Sequence, residues 1–197
     1  MQLETKRLIL RRWRDSDIEP FAQMNSNDKV MEYLANKLNM DETIRMVERI
    51  EASFDTNNLG LWALALKETG EFIGFAGLSR PTFYTHFTPC IEVSWRIDAA
   101  HWDKGYAREA GKEVLRDGFE RLGLSEIVSF SAAANARSIR VMKELHMQSA
   151  QEDDFLHPLV TQISLKRHVL FKIAAHAWWV RNINELKNSL ANLCRSS

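Results

Sequence analysis

The twenty residues from Ile91 to Ala110, IEVSWRIDAAHWDKGYAREA, carry an alternating strand into a short glycine-containing turn and straight on into a helix. A turn that enters a helix leaves the first N–H groups without intrahelical partners, all aimed one way, and the helix dipole adds partial positive charge at the same spot. The result is an anion cradle suited to a phosphate or pyrophosphate. Gly105 and Ala107 are small where phosphates must approach the main chain, and Lys104 and Arg108 flank them with charge. Whatever fold the chain adopts has to offer this turn at the end of a strand.

The setting of the cradle is ordinary. With 197 residues, 45% of them hydrophobic, the chain reads as one medium domain large enough for a real core. Its 26 basic and 26 acidic side chains balance, which argues against a general nucleic-acid binder. Cys90 and Cys194 form neither a disulfide framework nor a metal spacing, so a reducing compartment and no metal are expected. The start, MQLETKRLILRRW, lacks the apolar region of a signal peptide. No stretch approaches the roughly 20 apolar residues of a membrane helix. The expectation is a soluble cytoplasmic protein that binds neither nucleic acid nor membrane.

Along the chain, Arg7 to Trp13 alternates as a strand, and Ile18, Phe21, Ala22 and Met24 recur at helical spacing. Val30 to Leu34 adds a second short helical piece. Asn39 with Glu42 forms a capping pair before the apolar stripe Ile44, Val47, Ile50 and Phe54, a helix of about four turns. Leu61–Leu66 and Phe72–Leu78 are strands joined by a hairpin in which Gly70 supplies a positive φ. An aromatic loop, Arg80 to Pro89, leads into the strand at Ile91–Ile97, whose polar face carries Glu92, Ser94 and Arg96. Gly105–Leu122 is helical, Glu126–Ala132 a strand, Ala136–Leu145 a helix, and Ile163–Ile173 a last strand. This order predicts an α+β fold, a mixed sheet with helices on both faces.

Two common phosphate-binding patterns fail here. No G-x-x-x-x-G-K-[ST] exists, and a dinucleotide fingerprint needs three glycines at the first βα turn, whereas this turn comes late and has one. The chain instead resembles the GNAT acyl-coenzyme A transferases, and within them the Rim-type ribosomal-protein N-terminal acetyltransferases. TKRLILRR (Thr5–Arg12), FIGFAGL (Phe72–Leu78), EVSWRI (Glu92–Ile97), WDKGYAREA (Trp102–Ala110) and NARSIRVMKELHM (Asn135–Met147) carry the likeness in family order. The resemblance implies a mostly antiparallel central sheet of six to seven strands in a domain over residues 1–173, with acetyl-coenzyme A and an amine bound together and direct attack of the neutral amine on the thioester.

In that scheme the cofactor contacts are Val93, Ser94, Trp95, Trp102, Asp103, Lys104, Gly105, Tyr106, Ala107, Arg108 and Asn135. The strand carrying Val93 to Trp95 bulges and splays in the family, which frees N–H groups for the developing oxyanion. Glu92 reads either as the base, working through water, or as a strand carboxylate paired with a cross-strand cation; an ordinary glutamate is ionised at neutral pH. Many relatives have a Tyr seven positions after the motif Asn, but Met142 stands there and cannot donate a proton. The Rim-type pattern instead offers a serine three residues after that Asn, Ser138, as donor to the departing thiolate in place of water or another group, unless it is only a first-turn serine bonded locally. His146 replaces a glycine that usually ends this helix, which requires either a non-glycine positive φ or a different exit.

The acceptor amine is a protein N-terminus or a small molecule. Phe83, Tyr84 and Phe87 of the aromatic loop wall its site or belong to the core, and Trp13, Trp62 and Val30–Leu34 complete it. The acidic stretch Glu152–Pro158 either attracts a cationic amine, with His157 as a proton relay, or is a solvated loop. Residues 174–197 form a helical extension with a seam of Trp179, Ile183, Leu186, Leu190 and Leu193, used first for packing on the parent domain and second for a homodimer contact. The alternative to an active N-acetyltransferase is an acyl-coenzyme A binding module that has lost its chemistry.

Overall fold

The computed structural model describes residues 1–183 and Lys187. Its strands are β1 (Leu3–Glu4), β2 (Leu8–Arg11), β3 (Leu61–Leu66), β4 (Phe72–Ser79), β5 (Glu92–Ile97), β6 (Glu126–Ala132), β7 (Gln148–Ser149), β8 (Phe155–Leu156) and β9 (Arg167–Ala174). Its helices are α1 (Ile18–Ser26), α2 (Asp28–Met31), α3 (Met40–Asn57), α4 (Tyr106–Glu120), α5 (Ala136–Glu144) and α6 (Ile163–Lys166), with a further helix over 175–183. The strands form one sheet in the order β1-β2-β3-β4-β5-β6-β9-β7, with β8 on β9; every pair is antiparallel except β5 with β6. The expected class holds, with nine strands among the described residues instead of six to seven. The excess lies in β1, β7 and β8, two-residue strands too short to show an alternation. The last strand is also shorter than expected, because Ile163–Lys166 closes one helical turn before β9 begins.

Side-chain chemistry sets the helix boundaries. Asn39 Oδ1 accepts from the Glu42 N–H at 2.9 Å and Glu42 Oε2 accepts from the Asn39 N–H at 2.8 Å, the capping box expected for α3. The buried stripe of α3 is Thr43, Val47, Ile50 and Phe54, so Thr43 replaces the expected Ile44, which is exposed. Thr43 is drawn inward by a hydrogen bond from Asn25 Nδ2 at 3.0 Å. Arg11 at the end of β2 donates to both Asp17 oxygens, at 2.6 and 2.8 Å, a bidentate pair that ties the sheet to the start of α1. Gly70 has φ 75, as its hairpin required. His146 takes the first of its two options, with φ 62.

Helices α1 to α3 cover one face of the sheet and α4 and α5 the other. Trp13, Phe21 and Phe75 fill the first interface. In the second, Leu78 and Ile127 lie against Gly118, and Leu145 lies against Gly111. The β3–β4 register shifts between Leu64 and Ala65, while β5 keeps register with β4 from Glu92 to Ile97. The bulge expected at Val93–Trp95 is therefore absent from the β4 side of β5. Helix 175–183 docks through Trp178, 5% exposed and 5.6 Å from the Phe119 ring, while Trp179 and Ile183, the two described residues of the expected seam, are 42% and 48% exposed. Leu186, Leu190 and Leu193 of that seam lie outside the described residues.

Two positions test this packing. Gly74 has φ 137, and a Cβ there would stand 2.1 Å from the Arg96 carbonyl oxygen. Gly74→Ala should therefore lower stability by about 2–4 kcal/mol, measured by denaturant titration. Trp178→Ala should cost about 3 kcal/mol; an unchanged melting curve would show that the 175–183 helix does not bear on the domain.

Candidate functional site

Strands β5 and β6 share one parallel rung, Glu92 with Val128, where the Val128 N–H donates to the Ile91 carbonyl at 2.9 Å. Beyond it they part. The Asp98 N–H donates to Ile73 in β4, so even-numbered residues of β5 direct their backbone groups toward β4 and odd-numbered ones toward β6. The carbonyl of Ile97, left without a strand partner, accepts the Trp102 indole N–H at 2.8 Å. The N–H of Trp95 faces the gap. A cleft of about 570 Å³ opens there. Lys29, Val30, Tyr33, Leu34 and Ala35, from α2 and the residues after it, line it from above. That segment reaches across the gap: Glu32 accepts from Arg137 at 3.2 Å, and Tyr33 packs against Ala132, Val160 and Leu165.

At the wide end of the cleft lies the turn into α4. Gly105 is left-handed, φ 79, and caps α4 with no side chain; the N–H groups of Tyr106, Ala107 and Arg108 have no hydrogen-bond partner among the described residues. Helices α3 and α5, by contrast, are capped by Asn39 and Asn135. A Cβ on Gly105 would meet only the Arg7 guanidinium, at 3.5 Å, so the main chain is open to a ligand. His101, beside the turn, holds Glu71 at 3.1 Å through Nε2 while its buried Nδ1 has no partner. Arg137 lies 3.9 Å from the Trp102 ring centre, a cation on the wall of the same cleft. The unfilled N–H groups of Tyr106, Ala107 and Arg108, with the Arg137 guanidinium on the wall, fit a pyrophosphate.

Of the expected cofactor residues, Ser94, Trp95, Trp102, Asp103, Gly105, Tyr106, Ala107, Arg108 and Asn135 line the cleft. Val93 does not, because its side chain is fully buried on the α4 side of β5, and Lys104 does not, because it projects from the turn into solvent. Asn135 spends its amide locally: Oδ1 accepts from the Ser138 N–H at 3.1 Å and Nδ2 donates to Ser138 Oγ at 3.2 Å. Since Ser138 Oγ accepts that bond, its own O–H is free to donate into the cleft that it lines. Met142 is fully buried and lines no part of the cleft.

Glu92 lines the cleft from the face of β5 covered by α1 to α3. Its neighbour across the β4 pairing is Ser79, which hydrogen-bonds it, and no cation pairs with it among the described residues. Part of the carboxyl surface is open to the cleft, but protein surrounds it deeply, and burial pushes its pKa up to about 8 against the pull of Ser79. The surroundings thus differ from those of an ordinary ionised glutamate: burial without a paired cation among the described residues favours the protonated form of this carboxyl.

The acceptor side differs more from expectation. Tyr84 is 93% exposed and lines nothing. Phe83 and Phe87 stack with Phe130 and Phe155 behind the wall, their rings consumed by one another. Trp13 and Trp62 are core, bonded to the Leu61 carbonyl and packed on Phe54 respectively. The wall itself is Phe130, His157 and His168, with the two imidazoles 4.8 Å apart. Burial lowers the pKa of His157 to about 4 and also depresses that of His168, which favours the neutral form of both rings. Two of the three acids in the stretch Glu152–Pro158 are already paired, Asp153 with Lys172 and Asp154 with Arg167, while Glu152 is exposed. Val30, Tyr33 and Leu34 of the expected segment Val30–Leu34 line the cleft, whereas Phe130, His168 and Arg96 were missed; strand alternation alone, continued through β6 and β9, points Phe130 and His168 to the face of Glu92.

Comparison with known proteins agrees with this geometry. Residues 7–148 match the family described as Acetyltransferase (GNAT) domain. The uncharacterized N-acetyltransferase YoaA of Bacillus subtilis is 32% identical over 148 residues, 74% of this chain and 82% of its own, and the uncharacterized N-acetyltransferase YnaD of the same organism is 26% identical over 149 residues, 75% and 83%. Among solved structures, a GNAT-family acetyltransferase from Bacillus anthracis superposes with a TM-score of 0.75 at 21% identity, covering 89% of this chain and 99% of its own. RimL, a ribosomal L7/L12 α-N-protein acetyltransferase in complex with coenzyme A, has the same fold with a TM-score of 0.73 at 11% identity, covering 90% and 99%. The acyl donor of GNAT acetyltransferases is acetyl-coenzyme A. A strand-turn-helix cradle beside a parted β5–β6 pair, in a chain matched over its greater part, makes this protein an N-acetyltransferase of the GNAT family.

Proposed function

We propose that this protein acetylates a primary amine, on a protein N-terminus or a small molecule, in a ternary complex within the β5–β6 cleft. The observation that carries the reading is Glu92: a carboxyl raised to about 8, without a cation, facing the gap into which the Trp95 N–H points. Acetyl-coenzyme A, when bound, supplies the thioester that the amine attacks. The uncapped N–H groups of Tyr106, Ala107 and Arg108 would hold its pyrophosphate, with Arg137 on Trp102 beside them. Glu92 takes the proton of the ammonium, directly or through water, and its raised pKa makes it a stronger base than a free glutamate. The Trp95 N–H donates to the thioester oxygen, and Ser138, its lone pair engaged by Asn135, donates to the departing sulfur. The five motifs read in the sequence favour the Rim-type subgroup. Residues 1–173 would carry the activity and 174–197 form an extension.

Glu92→Gln should reduce kcat/KM by roughly 100-fold or more, with little change in coenzyme A affinity. The wild-type profile should rise with pH as Glu92 ionises through about 8, and the variant should lose that limb. Stability follows the same proton. The folded state holds it more tightly than the unfolded chain, whose value is near 4.5, so a stabilising contribution present at low pH is lost as pH climbs through about 8. The melting temperature of Glu92→Gln should therefore gain on wild type from pH 5 to pH 9. Ser138→Ala should lower kcat by about 10-fold while the KM for acetyl-coenzyme A stays put; an unchanged kcat would remove Ser138 from the reaction. Thermal stabilisation by acetyl-coenzyme A without thiol release for any amine would favour a binding module instead.

A further inference from the structure

Among the described residues, Arg11 and Arg96 have guanidinium groups set into the interior, and the protein treats them differently. Arg11 is neutralised by Asp17 through two hydrogen bonds. Arg96 lines the cleft, with Phe75 against one face at 5.3 Å, and its hydrogen-bond partner is the neutral Asn25 Oδ1. Asn25 is itself fully buried and donates to the fully buried Thr43. This neutral chain fixes the guanidinium without compensating its charge. Asp98, the next residue on the same face of β5, turns its carboxylate to the Ala100 N–H at 2.8 Å, and no acid pairs with Arg96 among the described residues. Burial lowers the pKa of Arg96 to about 10, which still leaves it charged. A desolvated cation without a counter-ion is unfavourable, so the charge has to be met by whatever enters the cleft.

The pyrophosphate of the acyl donor is a poor candidate for that role. The uncapped α4 N-terminus provides for it, and α4 lies on the opposite face of the sheet from the side chains of Glu92, Ser94 and Arg96. On that face Glu92 and Arg96 are four residues apart, about 13 Å between their Cα atoms. Both side chains line the same cleft as Lys29 and Tyr33. A guanidinium fixed by one nitrogen and stacked on one face still presents an edge of donors, which matches a planar carboxylate in two parallel hydrogen bonds.

We propose that the acceptor is an amine that also carries a carboxylate, bound by the exposed edge of the Arg96 guanidinium while the amine lies at Glu92. This rests on the acetyltransferase reading above and names its substrate class: an amino acid, an ω-amino acid or a short acidic peptide. Lys29, at the mouth of the cleft, adds to the attraction.

The test compares glycylglycine, 4-aminobutyrate and aspartyl dipeptides with their amides, in which the carboxylate charge is gone. Wild type should favour the acids by roughly 10- to 100-fold in kcat/KM, the scale of one charge-assisted bidentate contact. Arg96→Met should bring the acid-to-amide ratio close to one, and Arg96→Lys should restore part of it. Asn25→Asp tests the same charge without touching Arg96, by giving the guanidinium an internal carboxylate; its ratio should also fall toward one. Calorimetric titration of the same acids and amides into the coenzyme A complex should show the same preference and the same losses. Equal turnover of acids and amides by wild type would overturn the substrate class and leave the acetyltransferase reading intact. Failure to acetylate any amine, with acids still bound through Arg96, would overturn the acetyltransferase reading and leave the carboxylate site. Equal binding of acids and amides would overturn the carboxylate site whatever the turnover.

Discussion

The site exists because β5 and β6 hold to each other at one rung and nowhere else. Each strand is anchored on its other side. Six consecutive residue pairs join β5 to β4, and seven join β6 to β9. The sheet is thus two well-registered halves touching at Glu92 and Val128, and right-handed twist carries the halves apart from that point. Backbone groups that a continuous sheet would have paired are left facing the gap. The protein satisfies one of them itself, the Ile97 carbonyl, with the indole of Trp102. The Trp95 N–H is left open, and with the separate uncapped start of α4 it is aimed at a ligand. Unsatisfied backbone inside a protein is unfavourable, and here its placement defines where an extended, phosphate-bearing molecule lies.

Secondary elements near the gap secure the same geometry. Trp102 caps β5 and also forms the ring against which Arg137 stacks. Asn135 caps α5 and at the same time turns the Ser138 hydroxyl outward. The segment after α2 crosses the opening through Glu32 and Tyr33. Each of these contacts joins one half of the sheet to the other, or to a helix packed on it, so the width of the cleft is governed by side chains that also face its contents.

The strand-turn-helix and the α3 capping box were legible in the sequence because their signals are local: an alternation, a small residue at a left-handed turn, an acceptor three residues before a donor. Helix and strand identities followed wherever elements were long. What escaped depends on register. Nothing in IEVSWRI tells that Ser79 stands opposite Glu92, which separates a raised carboxyl from an exposed ion pair. The aromatic loop read either as a wall of the acceptor site or as core, and the choice fell to core for Phe83 and Phe87 because they found partners in Phe130 and Phe155, which come from β6 and β8. Trp179 and Trp178 are adjacent in the chain, and only the approach of Phe119 decides which of them is buried. Arg96 read as one more polar residue on a strand face; that it lacks an acid is a property of its surroundings, not of its neighbours in sequence.

Glu92 and Arg96 are displaced in the same sense, each toward its uncharged form, and burial is the largest cause for both. A structural ion pair of the kind formed by Arg11 and Asp17 would have held both groups to their charged forms. The cleft instead keeps an acid and a base on one face, too far apart along β5 to neutralise each other. For the carboxyl this has a chemical use. A glutamate near 4.5 is ionised at neutral pH but is a feeble acceptor of an ammonium proton, whereas one near 8 holds a smaller ionised fraction of a much stronger base, the compromise that favours general-base catalysis close to neutrality. The same dry surroundings that raise Glu92 leave Arg96 uncompensated, so the basicity of the one and the anion affinity of the other have a single origin in the way α1 to α3 close over β5.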